Sequence, residues 1–146
     1  MAINHYKFHG LKRLYKPLGR LLLDLGIPAM DAAVPVPLSI KGLRERGFNQ
    51  ALLLCRVISK STKIPMVMDG LVKIRETKPQ VGLSAKERAD NLKKAFGAKR
   101  DFKGLSVLLV DDVMTTGATV NECAKQLLKA GAKDVKAVTL ARANIL

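Results

Sequence analysis

Residues 106–122 read SVLLVDDVMTTGATVNE. An apolar run ends in two adjacent carboxylates, Asp111 and Asp112, and passes at once into a turn that carries Thr115, Thr116, Gly117 and Thr119. A short run of Val and Leu bounded by turn residues reads as a buried strand. Folding alone gives no reason to set two like charges at its end. They repel each other, and desolvating either is costly without a partner. The turn leads into a helix N-terminus, where backbone N–H groups lack intrahelical partners and the helix dipole adds positive potential. Gly117 lets the backbone approach a ligand, and the threonines supply hydroxyl donors. This combination suits a phosphate monoester, held by Val113, Met114, Thr115, Thr116, Gly117, Ala118 and Thr119. The carboxylates just upstream are wrong for phosphate and right for accepting hydrogen bonds from vicinal hydroxyls. Carboxylates beside a phosphate cradle describe a ribose 5-phosphate. The plain alternative is a helix following a strand that happens to end in Asp-Asp.

Outward from this stretch the chain alternates strand and helix signals. Residues 11–25 space their leucines at three- and four-residue steps, an amphipathic helix in which Pro17 marks a kink or the first turn of a second segment. Residues 31–36 read as a strand running into a loop constrained by Pro35 and Pro37. A helix is expected from about Asn49 to Ser61, and a strand region over 66–74, interrupted at Asp69-Gly70. Ser84-Ala85-Lys86-Glu87 is a capping-box pattern opening a helix that runs to about Phe96. The closing elements are a strand at 105–110, a helix from Gly117 to Ala130 stopped by Gly131, and a strand at 135–140. The final strand–helix–strand unit implies a parallel crossover, so the fold class is α/β with a mostly parallel sheet flanked by helices. One domain spans 1–146, with residues 1–30 as an N-terminal helical or hood segment and 31–142 as the core. In such sheets ligands bind beyond the carboxyl ends of strands, where Asp111 and Asp112 fall.

Composition bounds the partners. Lys and Arg total 26 against 12 Asp and Glu, a net charge of +14 on 146 residues. The excess lies in residues 1–106, whereas 107–146 are close to neutral. Such a balance suits a polyanion, whether phosphate, pyrophosphate or nucleic acid, and equally a generally basic, soluble surface. Cys55 and Cys123 stand far apart with no CxxC, which supports neither a zinc ribbon nor a disulfide framework. The opening MAINHYKFHG lacks the apolar core of a signal peptide, and no apolar run approaches a membrane span. A cytoplasmic location is the expectation. No Walker A or GxGxxG pattern is present.

LLVDDVMTTGAT resembles the phosphoribosyl-pyrophosphate (PRPP) signature of type I phosphoribosyltransferases. VPVPLS, LRERGFNQA, RETKPQVGLSAKERADNLKKAF and the closing LAR resemble the ComF branch of that superfamily, over roughly residues 4–142. The resemblance implies a type I phosphoribosyltransferase-like core with a reduced hood, and Mg²⁺-assisted displacement at ribose C1′ as pyrophosphate departs and a nitrogen acceptor arrives. Asp111 and Asp112 would be the catalytic pair, stabilising the cation that develops there. Mg²⁺ would come with PRPP and take few direct protein ligands. Relatives usually begin with a cysteine-rich zinc module; these residues contain none, and zinc is not expected.

The resemblance also places the pyrophosphate-contacting loop at Pro37, Leu38 and Ser39, with Arg44 and Arg46 as clamps or else as solvated surface charge. The Val36–Pro37 bond has the ordinary X-Pro cis frequency of about one in twenty. Residues 75–88 have the length and polarity of the superfamily's mobile loop, with Arg75, Thr77, Lys78, Gln80 and Arg88 as candidates. Three functions stay open: a phosphoribosyltransferase, a PRPP-sensing regulator, and a single-stranded-DNA-binding protein, since the ComF branch is associated with DNA uptake in competence. Aromatic residues at 4% stock a base-stacking platform poorly. The acceptor is not legible, and a homodimer is the assembly left open.

Overall fold

A computed structural model describes residues 12–77, 81–114 and 117–142. A 3₁₀ turn, Lys12–Leu14, leads into α1, Tyr15–Leu23. There follow β1 (Ala32–Pro35), α2 (Ile40–Arg46), α3 (Gln50–Thr62), β2 (Leu71–Lys73), α4 (Ala85–Leu92), β3 (Phe96–Ala98), β4 (Ser106–Met114), α5 (Ala118–Lys129) and β5 (Asp134–Arg142). β4 is the central strand of a parallel sheet in the order β1-β4-β5, and β2 pairs antiparallel with β3. The expected α/β class with a mostly parallel sheet is what forms.

Alternation along β4 builds two cores. Leu108 and Val110 join Ala33 of β1 beneath Leu18 and Leu22 of α1 and Leu54, Cys55 and Ile58 of α3. Val107 and Leu109 face the other way, with Val120, Cys123 and Leu127 of α5, Leu71 of β2 and Phe96 of β3. Residues 15–23 are thus bound to one sheet face alongside α3. Pro17 lies in the first turn of α1, where its missing N–H costs nothing.

Three expectations need correcting. The strand expected at 105–110 runs on to Met114, because β5 is long enough to pair with it: Asp111 lies opposite Thr139 and Val113 opposite Ala141. The carboxylates therefore sit within the strand, not past its end. The helix expected to reach Phe96 stops at Leu92. Phe96 lies one turn beyond Leu92 and mimics helical spacing, but it pairs with Lys73 across the two-stranded antiparallel sheet. The loop after Pro37 contains an unforeseen helix, α2, none of whose residues is buried. Ser39 starts it by accepting from the Gly42 N–H at 3.0 Å, and Gly47 ends it in the left-handed region. The capping box at Ser84 and Glu87 forms as expected and opens α4, which takes in the last residues of the segment 75–88. All peptide bonds among the described residues are trans.

Candidate functional site

The carboxyl end of the sheet opens into a cavity of about 510 Å³. β4 gives it Asp111, Asp112, Val113 and Met114, and the start of α5 gives it Gly117, Ala118 and Thr119. Strand geometry keeps both carboxylates close to the protein: Asp111 is 9% and Asp112 7% exposed. The N–H of Asp112 donates to Asp111 Oδ1 at 2.8 Å, and the N–H of Val113 donates to Asp112 Oδ1 at 2.9 Å. These bonds fix the two side chains against the backbone without neutralising them. Gly117 sits at φ 84° as the N-cap of α5 and itself brings no side chain to cap the helix. A Cβ there would meet Met114 Sδ at 3.6 Å and Asn121 Nδ2 at 3.8 Å, both ordinary contacts, so backbone conformation and not space makes this position a glycine. The helix thus presents its N-terminal, positive end to the cavity that holds the two carboxylates.

The opposite walls carry cations and apolar rings. Arg46, the last residue of α2, lines the cavity and places Nη1 3.5 Å from Gln50 Oε1. Lys73 of β2 lines it too, its ammonium 5.8 Å from the centre of the Phe96 ring. Burial lowers the Lys73 pKa; the Glu76 carboxylate opposes the shift and Arg46 adds to it. Lys73 escaped the sequence reading. The available signal was its register: it shares a strand face with buried Leu71, an inward position where lysine is unusual.

The other expected residues divide. Pro37 and Leu38 line the cavity, held in place because Asn49 Nδ2 donates to the Val36 carbonyl at 3.1 Å while Asn49 Oδ1 caps α3. Ser39 is occupied as the cap of α2, and Arg44 is exposed and does not line the cavity. Arg75 donates from Nη2 to the carbonyls of Asn91 at 2.7 Å and Lys93 at 2.6 Å, tying down the end of α4. Arg88 is buried on α4, and Thr77 is half-buried. Lys78, Gln80, Thr115 and Thr116 lie outside the described residues. None of residues 12–30 that are described lines the cavity.

Neither thiol offers a nucleophile. Burial pushes Cys55 up to about 12, and burial with the nearby Asp111 and Glu122 charges raises Cys123 well above the ordinary thiol range. Among the described residues no three His, Cys, Asp or Glu side chains gather to hold a metal. The two carboxylates are hard oxygen donors, which fit a magnesium-like cation that keeps most of its water or arrives on a ligand. No helix of the described residues is long and apolar enough to cross a membrane.

Residues 42–145 match the family model for the phosphoribosyl transferase domain. The chain is 38% identical over 156 aligned positions to competence protein F of Haemophilus influenzae, covering 98% of this chain and 67% of the relative. It is 36% identical over 148 to the DNA utilization protein YhgH of Escherichia coli K12, covering 96% and 65%. With competence protein ComFC of Bacillus subtilis it shares 35% over 113, covering 75% and 43%. The chain spans about two thirds of the length of the first two. Among solved structures, glutamine PRPP amidotransferase from B. subtilis superposes with a TM-score of 0.63 at 23% identity, over 88% of this chain and 26% of that one. This likeness is one of fold.

Proposed function

The chain belongs to the ComF branch of the phosphoribosyltransferase domain family, and on that premise we propose that its cavity binds PRPP and transfers the phosphoribosyl group to a nitrogen acceptor. One observation carries the reading: two buried carboxylates and the N-terminus of α5 line the same cavity. Asp111 and Asp112 would accept from the ribose hydroxyls, and the backbone from Met114 to Thr119 would take the 5′-phosphate. The acceptor nitrogen bonds to C1′ as the C1′–oxygen bond breaks, and the electron pair leaves with pyrophosphate. Positive charge grows on the ribose in that step. Carboxylates fixed nearby stabilise it more than they stabilise the ground state. The chemistry that Mg²⁺ bound with PRPP would supply is positive charge against the departing pyrophosphate.

The test is titration calorimetry with Mg²⁺-PRPP, followed by assay of pyrophosphate release with candidate bases. Binding with release supports a transferase, and binding without it supports a PRPP sensor. Absence of binding sinks the reading.

A second reading, single-stranded DNA binding, is favoured by one surface. Arg13, Lys16 and Arg20 are exposed on and just before α1, as are Arg56, Lys60 and Lys63 on and just after α3. Neither helix contains a carboxylate. Both helices bury their other faces on the sheet, so these cations point outward together. Such a face suits a phosphate backbone. The names of the relatives, DNA utilization and competence, agree with it.

A further inference from the structure

A further opening lies beyond the Pro37–Leu38 segment, which lines both it and the carboxylate cavity. It measures about 310 Å³, at the lower end of the range for small-ligand pockets, roughly 300–1,000 Å³. Leu43 of α2, Phe48 between α2 and α3, Leu52, Leu53 and Arg56 of α3, and Met68 line it. We propose that this opening takes an unpaired nucleobase of single-stranded DNA, seated on the leucines and Met68 against the Arg56 guanidinium. The proposal rests on the single-stranded-DNA reading and adds a base site to a surface so far read only for phosphates.

The apolar lining is left uncovered. Met68 is 55% and Leu43 47% exposed, and Ile40, one turn before Leu43 on α2, is 73% exposed. α2 buries none of its residues, so packing gives no account of these side chains. No carboxylate lines the opening, in contrast to the cavity of Asp111 and Asp112. The acids closest in sequence are engaged. Asp69 accepts from Arg100 Nε at 3.1 Å and from Nη2 at 2.6 Å, and Glu45 lies 4.0 Å from Lys41. Among the described residues no carboxylate pairs with Arg56. Leu52, Arg56 and Lys60 follow one another at four-residue steps, so one face of α3 leads from the apolar lining to the cations, at about 6 Å per step. A strand whose phosphates follow those cations brings a base to the opening. An apolar peptide would fill it but has no use for the cations beyond.

The lining suits a base held by its faces. Asn49 is engaged at both ends of its amide, with the Val36 carbonyl and the Leu52 N–H, which leaves the Arg56 guanidinium as the polar group for an occupant. A guanidinium plane stacks on a base, and every base offers a π-face, so such a site tolerates sequence. Arginine over an apolar floor thereby takes the part that the scarce aromatic residues would play. A base within a duplex is paired and stacked and cannot enter. The opening therefore distinguishes single strand from duplex, which phosphate contacts alone do not.

The experiment follows the fluorescence anisotropy of an oligodeoxythymidylate, an abasic strand of the same length and a duplex. It compares the parent, the double variant Leu43→Ser with Met68→Ser, Arg56→Lys and Arg56→Gln. Both apolar positions are exposed, so the double variant should melt as the parent does; should it melt lower, Met68→Ser alone takes its place. The double variant should bind the thymidylate roughly tenfold more weakly with unchanged salt dependence, because apolar contact is lost and charge is not. Arg56→Lys keeps the charge and loses the plane, so it should cost roughly three- to tenfold, again with the same salt slope. Arg56→Gln should cost more and flatten the slope by about 0.7. The abasic strand should bind the parent, the double variant and Arg56→Lys alike, and the preference for single strand over duplex should shrink in both variants. Equal affinity of the parent for the thymidylate and the abasic strand overturns the base site and leaves the phosphate face standing. A double variant that binds the thymidylate as the parent does has the same consequence. A parent that binds neither strand sinks the DNA reading, and the base site with it. A double variant that loses self-association in sedimentation while keeping its DNA affinity gives the opening to a second copy of the chain and overturns the inference.

Discussion

Asp111→Asn and Asp112→Asn keep the size and shape of both side chains and remove only their charge. The fold should tolerate this, because the backbone hydrogen bond that each carboxylate accepts survives. An amide oxygen still accepts from the Asp112 N–H, now 2.8 Å from Asp111 Oδ1, and from the Val113 N–H, now 2.9 Å from Asp112 Oδ1. Two adjacent, largely buried like charges also disappear, which removes a mutual repulsion. Ligand binding behaves differently. A hydrogen bond to a charged acceptor contributes about 1.5–3 kcal/mol, against about 0.5–1.5 for a neutral one. Each substitution should therefore cost PRPP roughly 1–1.5 kcal/mol, and the pair about 2–3 kcal/mol, or on the order of 30- to 150-fold in Kd. Burial limits solvent screening at these positions, so the loss should persist at moderate salt. Turnover, where it exists, should fall further than affinity, because the carboxylates matter most as C1′ becomes positive. Calorimetry with Mg²⁺-PRPP gives the first quantity and pyrophosphate release the second. A double variant that binds Mg²⁺-PRPP as tightly as its parent removes the ribose assignment altogether.

Other expectations test the fold and the basic face. Gly19 lies where α1 crosses α3, and a Cβ there would approach Val57 Cβ and Cγ1 to 2.7 Å. Gly19→Ala gains about 1 kcal/mol of helix propensity and loses about 1–3 to overpacking, so a lower melting temperature is expected, with recovery when Val57→Ala is added. Arg75→Met should speed amide exchange around residues 91–94 and leave pyrophosphate affinity intact, since that guanidinium is engaged with the end of α4. A changed pyrophosphate affinity would return Arg75 to the site. In a crystal soaked with phosphate or sulfate, the anion should lie against residues 114–119, and protein side chains filling that position would refute the cradle.

The central stretch was legible because its signals are local. Strand propensity, the acidic pair, Gly117 and the helix that follows all fall within one strand–turn–helix, and the capping box at Ser84 is equally self-contained. What escaped depends on partners distant in sequence. The length of β4 is set by β5, which carries the ladder past Asp111. Phe96 reads as one more helical turn until β2 claims it. α2 buries none of its residues, so hydrophobic periodicity had nothing to detect; its marks are the Ser39 cap and the left-handed Gly47. Lys73 in the cavity wall is another such miss. Its inward register beside Leu71 is local, but its pairing with Phe96 and the approach of Arg46 come from elements distant in sequence.

The arrangement of charge also decides whether the two proposed ligands compete. A nucleic-acid backbone offers phosphates but would have to lie beside Asp111 and Asp112 to enter the cavity, which like charge disfavours. The acid-free outer faces of α1 and α3 carry no such penalty. They cover the sheet face opposite α5, whereas the cavity draws on α5, β2 and β3. DNA and PRPP should therefore bind together without competing. Replacing Arg13, Lys16, Arg20, Arg56, Lys60 and Lys63 by Gln should weaken an oligodeoxythymidylate and flatten its salt dependence by up to about four in log–log slope, at roughly 0.7 per lost phosphate contact. Mg²⁺-PRPP affinity should not change. Replacing Lys125, Lys129, Lys133 and Lys136 should do much less to DNA. Fluorescence anisotropy across a salt series measures both sets, and saturating Mg²⁺-PRPP in the same cuvette tests competition. Displacement of the oligonucleotide by Mg²⁺-PRPP would move DNA into the cavity and end the two-face reading, while equal losses from the two lysine and arginine sets would reduce it to attraction by total charge.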